Sequence, residues 1–211
     1  MELITGLIDF ILHVDKHLVE LIRDYGTWTY LLIFMIIFSE TGFVVTPFLP
    51  GDSLLFVIGA LGASGALNFK VALILIIIAA VGGNTLNYAI GRMFGDKILG
   101  MKNSPIIKKE YLYKTQAFYK KHGGKAIILS RFVPIIRTFA PFVAGLGKMK
   151  FMKFSFFNMI GGMAWVLLFM LAGFIFGNFP VVKNNFTYVI FAIIFVSLLP
   201  TVIPYIRSKL K

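Results

Sequence analysis

Residues 126–147 have the sequence AIILSRFVPIIRTFAPFVAGLG, in which an apolar stretch is interrupted by two arginines and two prolines. Basic sequence flanks it on both sides: residues 96–125 carry eight lysines against two acidic residues, and Lys148, Lys150 and Lys153 follow. In a membrane protein, basic loops of this kind lie in the cytoplasm. Since both flanks then lie on the same side, residues 126–147 are predicted to enter and leave the membrane there, as a re-entrant hairpin.

Composition places the whole chain in a membrane. Of its 211 residues, 58% are hydrophobic and only 14% are charged. A soluble domain of this size has too little interior to bury so much apolar surface, which excludes a soluble enzyme. The formal net charge of +12 is explained by cytoplasmic loops beside anionic lipid, without nucleic acid as a partner. The chain has no cysteine and therefore no disulfide or thiol chemistry.

Hydropathy and charge divide the chain into five segments. A spanning helix needs about 20 predominantly apolar residues. The predicted segments are an amphipathic helix at the membrane surface (1–27); a first repeat (28–95) with a re-entrant hairpin over 30–67 and a spanning helix over 71–91; a basic cytoplasmic loop (96–125); a second repeat (126–177) with the hairpin 126–147 and a spanning helix over 154–177; and a C-terminal spanning helix with a basic tail (184–211).

The two repeats share an order of features. Each begins with a serine followed by a charged residue (Glu40 or Arg131), continues through a proline-broken stretch and a glycine pair, and ends in G-x-x-F-G. If 71–91 ends in the cytoplasm at Lys97, the first hairpin enters from outside and the second from inside. We therefore predict an all-α polytopic membrane protein built as an inverted repeat, with its site at mid-depth where the hairpins meet.

Four charged side chains lie inside these apolar stretches: Glu40 and Asp52 in the first hairpin, Arg131 and Arg137 in the second. Each costs about 2.5–3.5 kcal/mol at a helix centre, so each needs a partner or a cavity. A break at Pro134 would let the two arginines converge on one anion, and guanidinium groups bind phosphate bidentately while staying charged. We predict that the arginines bind the phosphate of a lipid and that the two acids couple its movement to protons.

Structural interpretations of the same residues stay open. The four charges could form buried salt bridges that only hold the hairpins together. Asp52 could instead cap the following helix. Arg92 and Asn158 are only secondary candidates for the site, because each has a structural explanation. An arginine at a helix end can extend to the membrane surface, and a buried asparagine can form a hydrogen bond between helices.

Known catalytic and nucleotide-binding motifs are absent from the sequence. It contains no Walker A loop, G-x-S-x-G, H-E-x-x-H or G-x-G-x-x-G string, and its histidines have no metal-ligand spacing. We therefore expect a protein that is not an enzyme and holds neither a cofactor nor a metal. An ion gradient is the remaining energy source.

Several strings together resemble the DedA family (VTT domain, "SNARE-associated"). These are Glu40-Thr-Gly42, Pro47-x-x-Pro50-Gly-Asp52, Gly91-Arg92-x-x-Gly95, Ser130-Arg-Phe-Val-Pro134-Ile-Ile-Arg137-Thr-Phe-Ala-Pro141, and Ala144-Gly-Leu-Gly-Lys-Met149 followed by Phe154, Asn158, Gly162 and Trp165. The resemblance implies a multi-pass protein of the bacterial inner membrane with two opposed re-entrant hairpins. By position, the family's acidic pair falls on Glu40 and Asp52 and its arginine pair on Arg131 and Arg137. The chain departs from the family pattern at Ile135, where glycine is usual.

Members of that family are linked to recycling of undecaprenyl phosphate and to flipping or scrambling of phosphatidylethanolamine, with the proton gradient implicated for some. The resemblance therefore implies a lipid transporter that translocates undecaprenyl phosphate with proton coupling. The alternatives are a phosphatidylethanolamine flippase or scramblase, and a non-transporting factor in membrane assembly or homeostasis. Membrane lipids are the expected partners, with an anionic headgroup at the mid-depth site. The sequence leaves a homo-oligomer open.

Overall fold

A computed structural model describes residues 24–43, 51–100 and 121–185, together with residues 20, 22, 115–117, 119, 188, 189, 191–193 and 195. Most of the predicted N-terminal helix (1–27), residues 101–114 of the basic loop, and most of the C-terminal segment (184–211) lie outside the described residues. Over the described ranges the regular secondary structure consists of helices, without strands, which confirms the predicted all-α class.

The helical elements among the described residues include seven α-helices and one 3-10 turn. In chain order they are α1 (Trp28–Gly42), α2 (Gly51–Ala63), α3 (Phe69–Gly100), a 3-10 turn (Gly123–Lys125), α4 (Ala126–Ser130), α5 (Pro134–Leu146), α6 (Phe151–Phe176) and α7 (Pro180–Asn184). Two stretches, Phe69–Phe94 and Phe151–Phe176, are long and apolar enough to cross a membrane.

The first long helix, α3, extends beyond its predicted bounds of 71–91 at both ends. It begins beside Asn68, whose Oδ1 accepts a hydrogen bond from the backbone N–H of Val71 at 3.2 Å, as a helix cap does. At its other end it continues to Gly100, into the segment predicted as a loop. Asp96 and Lys97 are compatible with helical backbone, so the change to polar sequence does not end the helix.

Residues 126–147 are broken at one proline. After α4 ends at Ser130, the chain turns through residues 131–133, and α5 begins at Pro134. Val133 has extended backbone angles (φ −126°, ψ 102°), as the residue before a proline prefers. Pro141, by contrast, lies inside α5 and does not interrupt it, so only the first of the two prolines breaks the stretch.

The two halves of the chain interlock through their helix packing. The first helix of each half packs on the long helix that follows it: α1 on α3, and α4 on α6. The second helix crosses to the other half, so that α2 packs on α6 and α5 packs on α3. Each long helix therefore packs against one helix of its own half and one helix of the other half.

Glycines allow the α2–α6 crossing to be close. A Cβ on Gly59 of α2 would strike the backbone carbonyl of Met170 on α6, and a Cβ on Gly173 of α6 would strike the backbone carbonyl of Phe56 on α2. The two helices therefore meet backbone to backbone. Small residues of this kind are the usual basis of tight helix packing in membranes.

The α3–α5 crossing repeats this arrangement with different residues. A Cβ on Gly91 of α3 would strike the carbonyl of Phe142, and a Cβ on Gly145 of α5 would strike the carbonyl of Tyr88. In both crossings each glycine lies three residues after the residue whose carbonyl the partner glycine contacts. The two crossings thus have equivalent contacts, and in each of them a second helix (α2 or α5) is held against a long helix (α6 or α3) by a pair of glycines.

We predict that Gly173→Ala disrupts the α2–α6 crossing, because the added methyl group has no space beside the Phe56 carbonyl. The expected loss is about 1–3 kcal/mol of folding stability, the usual cost of overpacking. Thermal unfolding of the purified protein in detergent measures it. Gly82→Ala on α3 is the matched control, since its Cβ would meet only the Phe38 ring at 3.4 Å. Equal unfolding temperatures for the two variants would contradict the prediction.

Candidate functional site

Arg137 is the centre of a buried ion-pair cluster. Its Nη2 donates to Oε1 of Glu40 at 2.7 Å, and its Nη1 donates to Oδ1 of Asp52 at 2.8 Å. All three residues are buried, with Glu40 only 4% exposed. One guanidinium therefore pairs with two carboxylates that come from different helices.

Helix ends bring these three groups together. Glu40 lies in the last turn of α1, Asp52 in the first turn of α2, and Arg137 in the first turn of α5. Gly51 lies directly against the Glu40 carboxylate, and any side chain at that position would collide with it. Because α2 already begins at Gly51, Asp52 is not the cap of this helix, and its Oδ1 is used by the cluster instead.

Arg131 lies at the end of α4 and has a different environment. It is 1% exposed, and its Nη2 donates to Oδ1 of Asn158 at 2.8 Å and to the carbonyl of Ala80 at 3.3 Å. Its Nε and Nη1 are also buried, and neither has a hydrogen-bond partner among the described residues. A guanidinium carries one N–H at Nε and two at Nη1, so three donors remain for a ligand.

Trp165 joins the two arginines. Its indole N–H donates to Oδ1 of Asp52 at 2.8 Å, the same oxygen that accepts from Arg137. The centre of its ring lies 5.2 Å from Cζ of Arg137 and 5.8 Å from Cζ of Arg131, both within cation–π range. The ring is fully buried, so this attraction acts on two cations that are removed from water.

Asn158 is fixed by a network of buried amides. Its Oδ1 accepts from Arg131 and from Nδ2 of Asn84 at 3.1 Å, and its Nδ2 donates to the carbonyl of Val81 at 3.0 Å and to Oγ1 of Thr85 at 3.3 Å. These four contacts use the whole hydrogen-bonding capacity of an asparagine side chain. Arg131 is therefore held by a group that cannot easily reorient.

A cavity of about 530 Å³ lies beside this cluster. Arg131 and Asp52 supply its charged lining, and the remaining lining residues are apolar: Phe56, Phe132, Leu168, Phe169, Ala172, Val189, Ala192 and Ile193. An amphiphile fits this distribution, with an anionic group at Arg131 and a hydrocarbon chain along the apolar wall. Among the described residues, no group of three or more His, Asp or Glu side chains could hold a metal ion.

The structure thus brings Glu40, Asp52, Arg131, Arg137 and Asn158 into one region, but it does not bring Arg92 there. Arg92 is exposed near the other end of α3, and its Nη1 donates to the Tyr88 hydroxyl at 2.7 Å and to the Met149 carbonyl at 3.4 Å. The two predicted phosphate-binding arginines also differ: Arg137 is paired with both acids, whereas Arg131 keeps free donors.

Sequence reasoning missed Trp165 as a partner of Asp52. A signal was available, because an indole N–H in the middle of a spanning helix needs an acceptor when it is buried. The carbonyl of Ala80 and the apolar wall of the cavity carried no such signal, since they depend on how α3, α6 and the C-terminal segment pack.

Comparison with known proteins agrees with the resemblance. The VTT domain family model matches residues 49–175. Protein DedA of Escherichia coli (strain K12) is 56% identical over 211 residues, covering 99% of this chain and 96% of that protein.

More distant relatives are also membrane proteins by name. An uncharacterized membrane protein of Mycobacterium tuberculosis (strain H37Rv) is 42% identical over 83% of this chain and 78% of its own length. Inner membrane protein YqjA of Escherichia coli (strain K12) is 33% identical over 86% of this chain and 82% of its own length. No solved structure matches. The chain therefore belongs to the DedA family of membrane proteins, which carry the VTT domain.

Proposed function

We propose that this chain is a transporter of the bacterial inner membrane that translocates an anionic polyprenyl lipid, undecaprenyl phosphate, with proton coupling. The observation that carries the proposal is Arg131. Its guanidinium is buried, pairs with no carboxylate among the described residues, and keeps three N–H donors without a described partner, and Arg131 also lines an apolar cavity. A buried unpaired cation is unfavourable, and phosphate oxygens would satisfy it.

The topology that we propose for this function is the inverted repeat. In it, α1–α2 and α4–α5 are re-entrant pairs that enter from opposite faces, α3 and α6 span the membrane, and the chain crosses it several times. The equivalent crossings of α2 on α6 and α5 on α3 support this arrangement. The charged residues then lie near mid-depth between the pairs, where transporters of this design bind their substrates.

The charge balance of the cluster supports the proposed proton coupling. Glu40 and Asp52 carry two negative charges, and Arg131 and Arg137 carry two positive charges, so the ionised cluster is neutral. A bound phosphate adds negative charge to a site whose charged side chains are buried. Uptake of a proton by a carboxylate would offset part of this added charge, and its release would accompany release of the lipid.

The lipid leaves the site chemically unchanged in this proposal. Among the described residues, the side chains in contact with Arg131 and Arg137 are Glu40, Asp52, Asn158 and Trp165, which offer charge pairing and hydrogen bonds to a lipid headgroup. We therefore treat the chain as a carrier of membrane lipid and not as an enzyme.

One observation favours a second candidate substrate. Asp52 lines the cavity together with Arg131, so a carboxylate and a guanidinium face the same space. A phosphoethanolamine headgroup carries a phosphate and an ammonium group and would match both. Phosphatidylethanolamine is therefore the alternative lipid.

We expect Arg131→Ala to lower the rate of undecaprenyl phosphate translocation in proteoliposomes by about tenfold or more, the effect of losing charge-assisted hydrogen bonds. Arg137→Ala should abolish translocation and also lower stability, because it leaves two carboxylates unpaired. Arg92→Ala is the control, since Arg92 is exposed and outside the cluster. Wild-type rates in the folded Arg131→Ala protein would refute the proposal.

We expect Glu40→Gln to uncouple transport from protons. The wild-type rate in proteoliposomes should fall when an ionophore collapses the pH gradient, because a carboxylate must take up and release a proton in each cycle. The Glu40→Gln protein should transport more slowly and should not respond to the ionophore. A variant that keeps the full response to the gradient would exclude Glu40 from the coupling.

Asp52→Asn separates the two candidate lipids. If the substrate is zwitterionic, this variant should lose transport of phosphatidylethanolamine by about tenfold, the effect of losing a charged partner. If it is a polyprenyl phosphate, removing a negative charge beside Arg131 should not weaken binding of the phosphate. Failure of the purified wild-type protein to move either lipid would instead support the non-transporting factor.

A further inference from the structure

One face of α6 contacts both Arg131 and Asp52. Asn158 and Trp165 lie seven residues apart, which is two helical turns and places them on the same side of the helix. Between them, a Cβ on Gly162 would come within 2.9 Å of Cγ2 of Val81 and within 3.2 Å of Nη2 of Arg131, which favours a residue without a side chain at this position. The face thus consists of an amide, a gap for a guanidinium, and an indole.

The hydrogen-bonding chemistry of Asn158 and Trp165 determines whether each binds a cationic or an anionic side chain. The carbonyl oxygen of Asn158 only accepts, and it accepts from the cation Arg131 at 2.8 Å. The indole N–H of Trp165 only donates, and it donates to the anion Asp52 at 2.8 Å. Asp52 is thereby held toward Arg137, and Arg131 is held by a neutral group.

A direct ion pair between Asp52 and Arg131 is the alternative to these contacts. Asp52 and Arg131 line the same cavity, and opposite charges in a site of low polarity attract strongly. If they paired, the guanidinium would be neutralised and its donors would be used. The cavity would then offer no cation to an anionic ligand.

We infer that Asn158 and Trp165 are positioning residues for ligand binding: they keep Asp52 and Arg131 apart, so that the Nε and Nη1 donors of Arg131 stay available to a phosphate group. This inference rests on the proposed function, because it assumes that Arg131 binds the phosphate of the lipid. It adds that the affinity for phosphate is set by two uncharged side chains of α6 that need not touch the ligand.

The test measures binding rather than transport. Decyl phosphate carries a single phosphate on a hydrocarbon chain, and decanol is the same chain without the phosphate. Calorimetric titration of the purified full-length protein in dodecyl maltoside gives the affinity for each compound. The unfolding temperature of each variant is measured in parallel, so that loss of binding can be compared with loss of stability.

Asn158→Leu has a matched control in Asn87→Leu. Asn87 is also fully buried, and its Nδ2 donates to the carbonyls of Thr41 and Thr138, but it does not contact Arg131. Both variants lose buried hydrogen bonds and should lower the unfolding temperature. Only Asn158→Leu should weaken binding of decyl phosphate, by about tenfold, the usual effect of misplacing a charge-assisted contact.

Trp165→Phe is the second variant and keeps a ring in place while removing the N–H donor. It should weaken binding of decyl phosphate severalfold, because Asp52 is released toward Arg131. It also keeps the inference testable if Asn158→Leu does not fold.

Tryptophan emission reports on the same site directly. The chain has two tryptophans, and Trp28 is 66% exposed. In a Trp28→Phe background, the emission of Trp165 should change in a saturable way with decyl phosphate but not with decanol. Adding Arg131→Ala to this background should remove the response.

The outcomes distinguish failure of the proposed function from failure of the positioning role of Asn158 and Trp165. No binding of decyl phosphate by the wild-type protein would overturn the proposed function and this inference together. Wild-type binding that Asn158→Leu and Trp165→Phe leave unchanged would overturn this inference alone. So would equal weakening by Asn158→Leu and Asn87→Leu, because the effect would then follow general loss of structure. Weakening confined to Asn158→Leu and Trp165→Phe supports it.

Discussion

Two buried carboxylates share one guanidinium, and the rest of the structure depends on that contact. Glu40 and Asp52 come from the facing ends of α1 and α2, and Arg137 comes from the start of α5. Buried ion pairs add little net stability, but removing one partner is strongly destabilising because it leaves a charge without compensation. The contact therefore acts mainly as a constraint on the fold. Whenever these groups are ionised, the ends of the three helices must hold the carboxylates of Glu40 and Asp52 within hydrogen-bonding distance of Arg137.

The glycines at the α2–α6 and α3–α5 crossings let these helices pack closely enough for the ion-pair cluster to form. At each crossing, glycines let the second helix of one half approach the long helix of the other half backbone to backbone. A larger residue at Gly59 or Gly145 would separate the helices and move Asp52 or Arg137 away from the cluster. Small residues along α2, α3, α5 and α6 thus determine where the charges of α2 and α5 lie, although no glycine carries any of the chemistry.

Sequence reasoning predicted more of the fold than of the contacts. Hydropathy and length identified the two long helices, and Pro134 marked the break, because a ring without an N–H and a restricted preceding residue act locally. The cost of burying charge drew attention to Glu40, Asp52, Arg131 and Arg137. It did not predict which acid pairs with which arginine, since pairing depends on how α2 and α5 cross to the opposite long helices. The role of Trp165 was missed for the same reason.

The difference between the two arginines has a physical consequence for an anionic ligand. Arg137 already donates to two carboxylates, so an anion that approached it would meet two negative charges at close range. Arg131 donates to an amide and a carbonyl, which are neutral, and it lines the cavity. An anion at Arg131 would add negative charge near Glu40 and Asp52 and would favour protonation of one of them, which would weaken its ion pair with Arg137. In the proposed function, occupancy of the cavity and the ion-pair cluster would therefore be linked by electrostatics, with Trp165 in contact with both arginines and with Asp52.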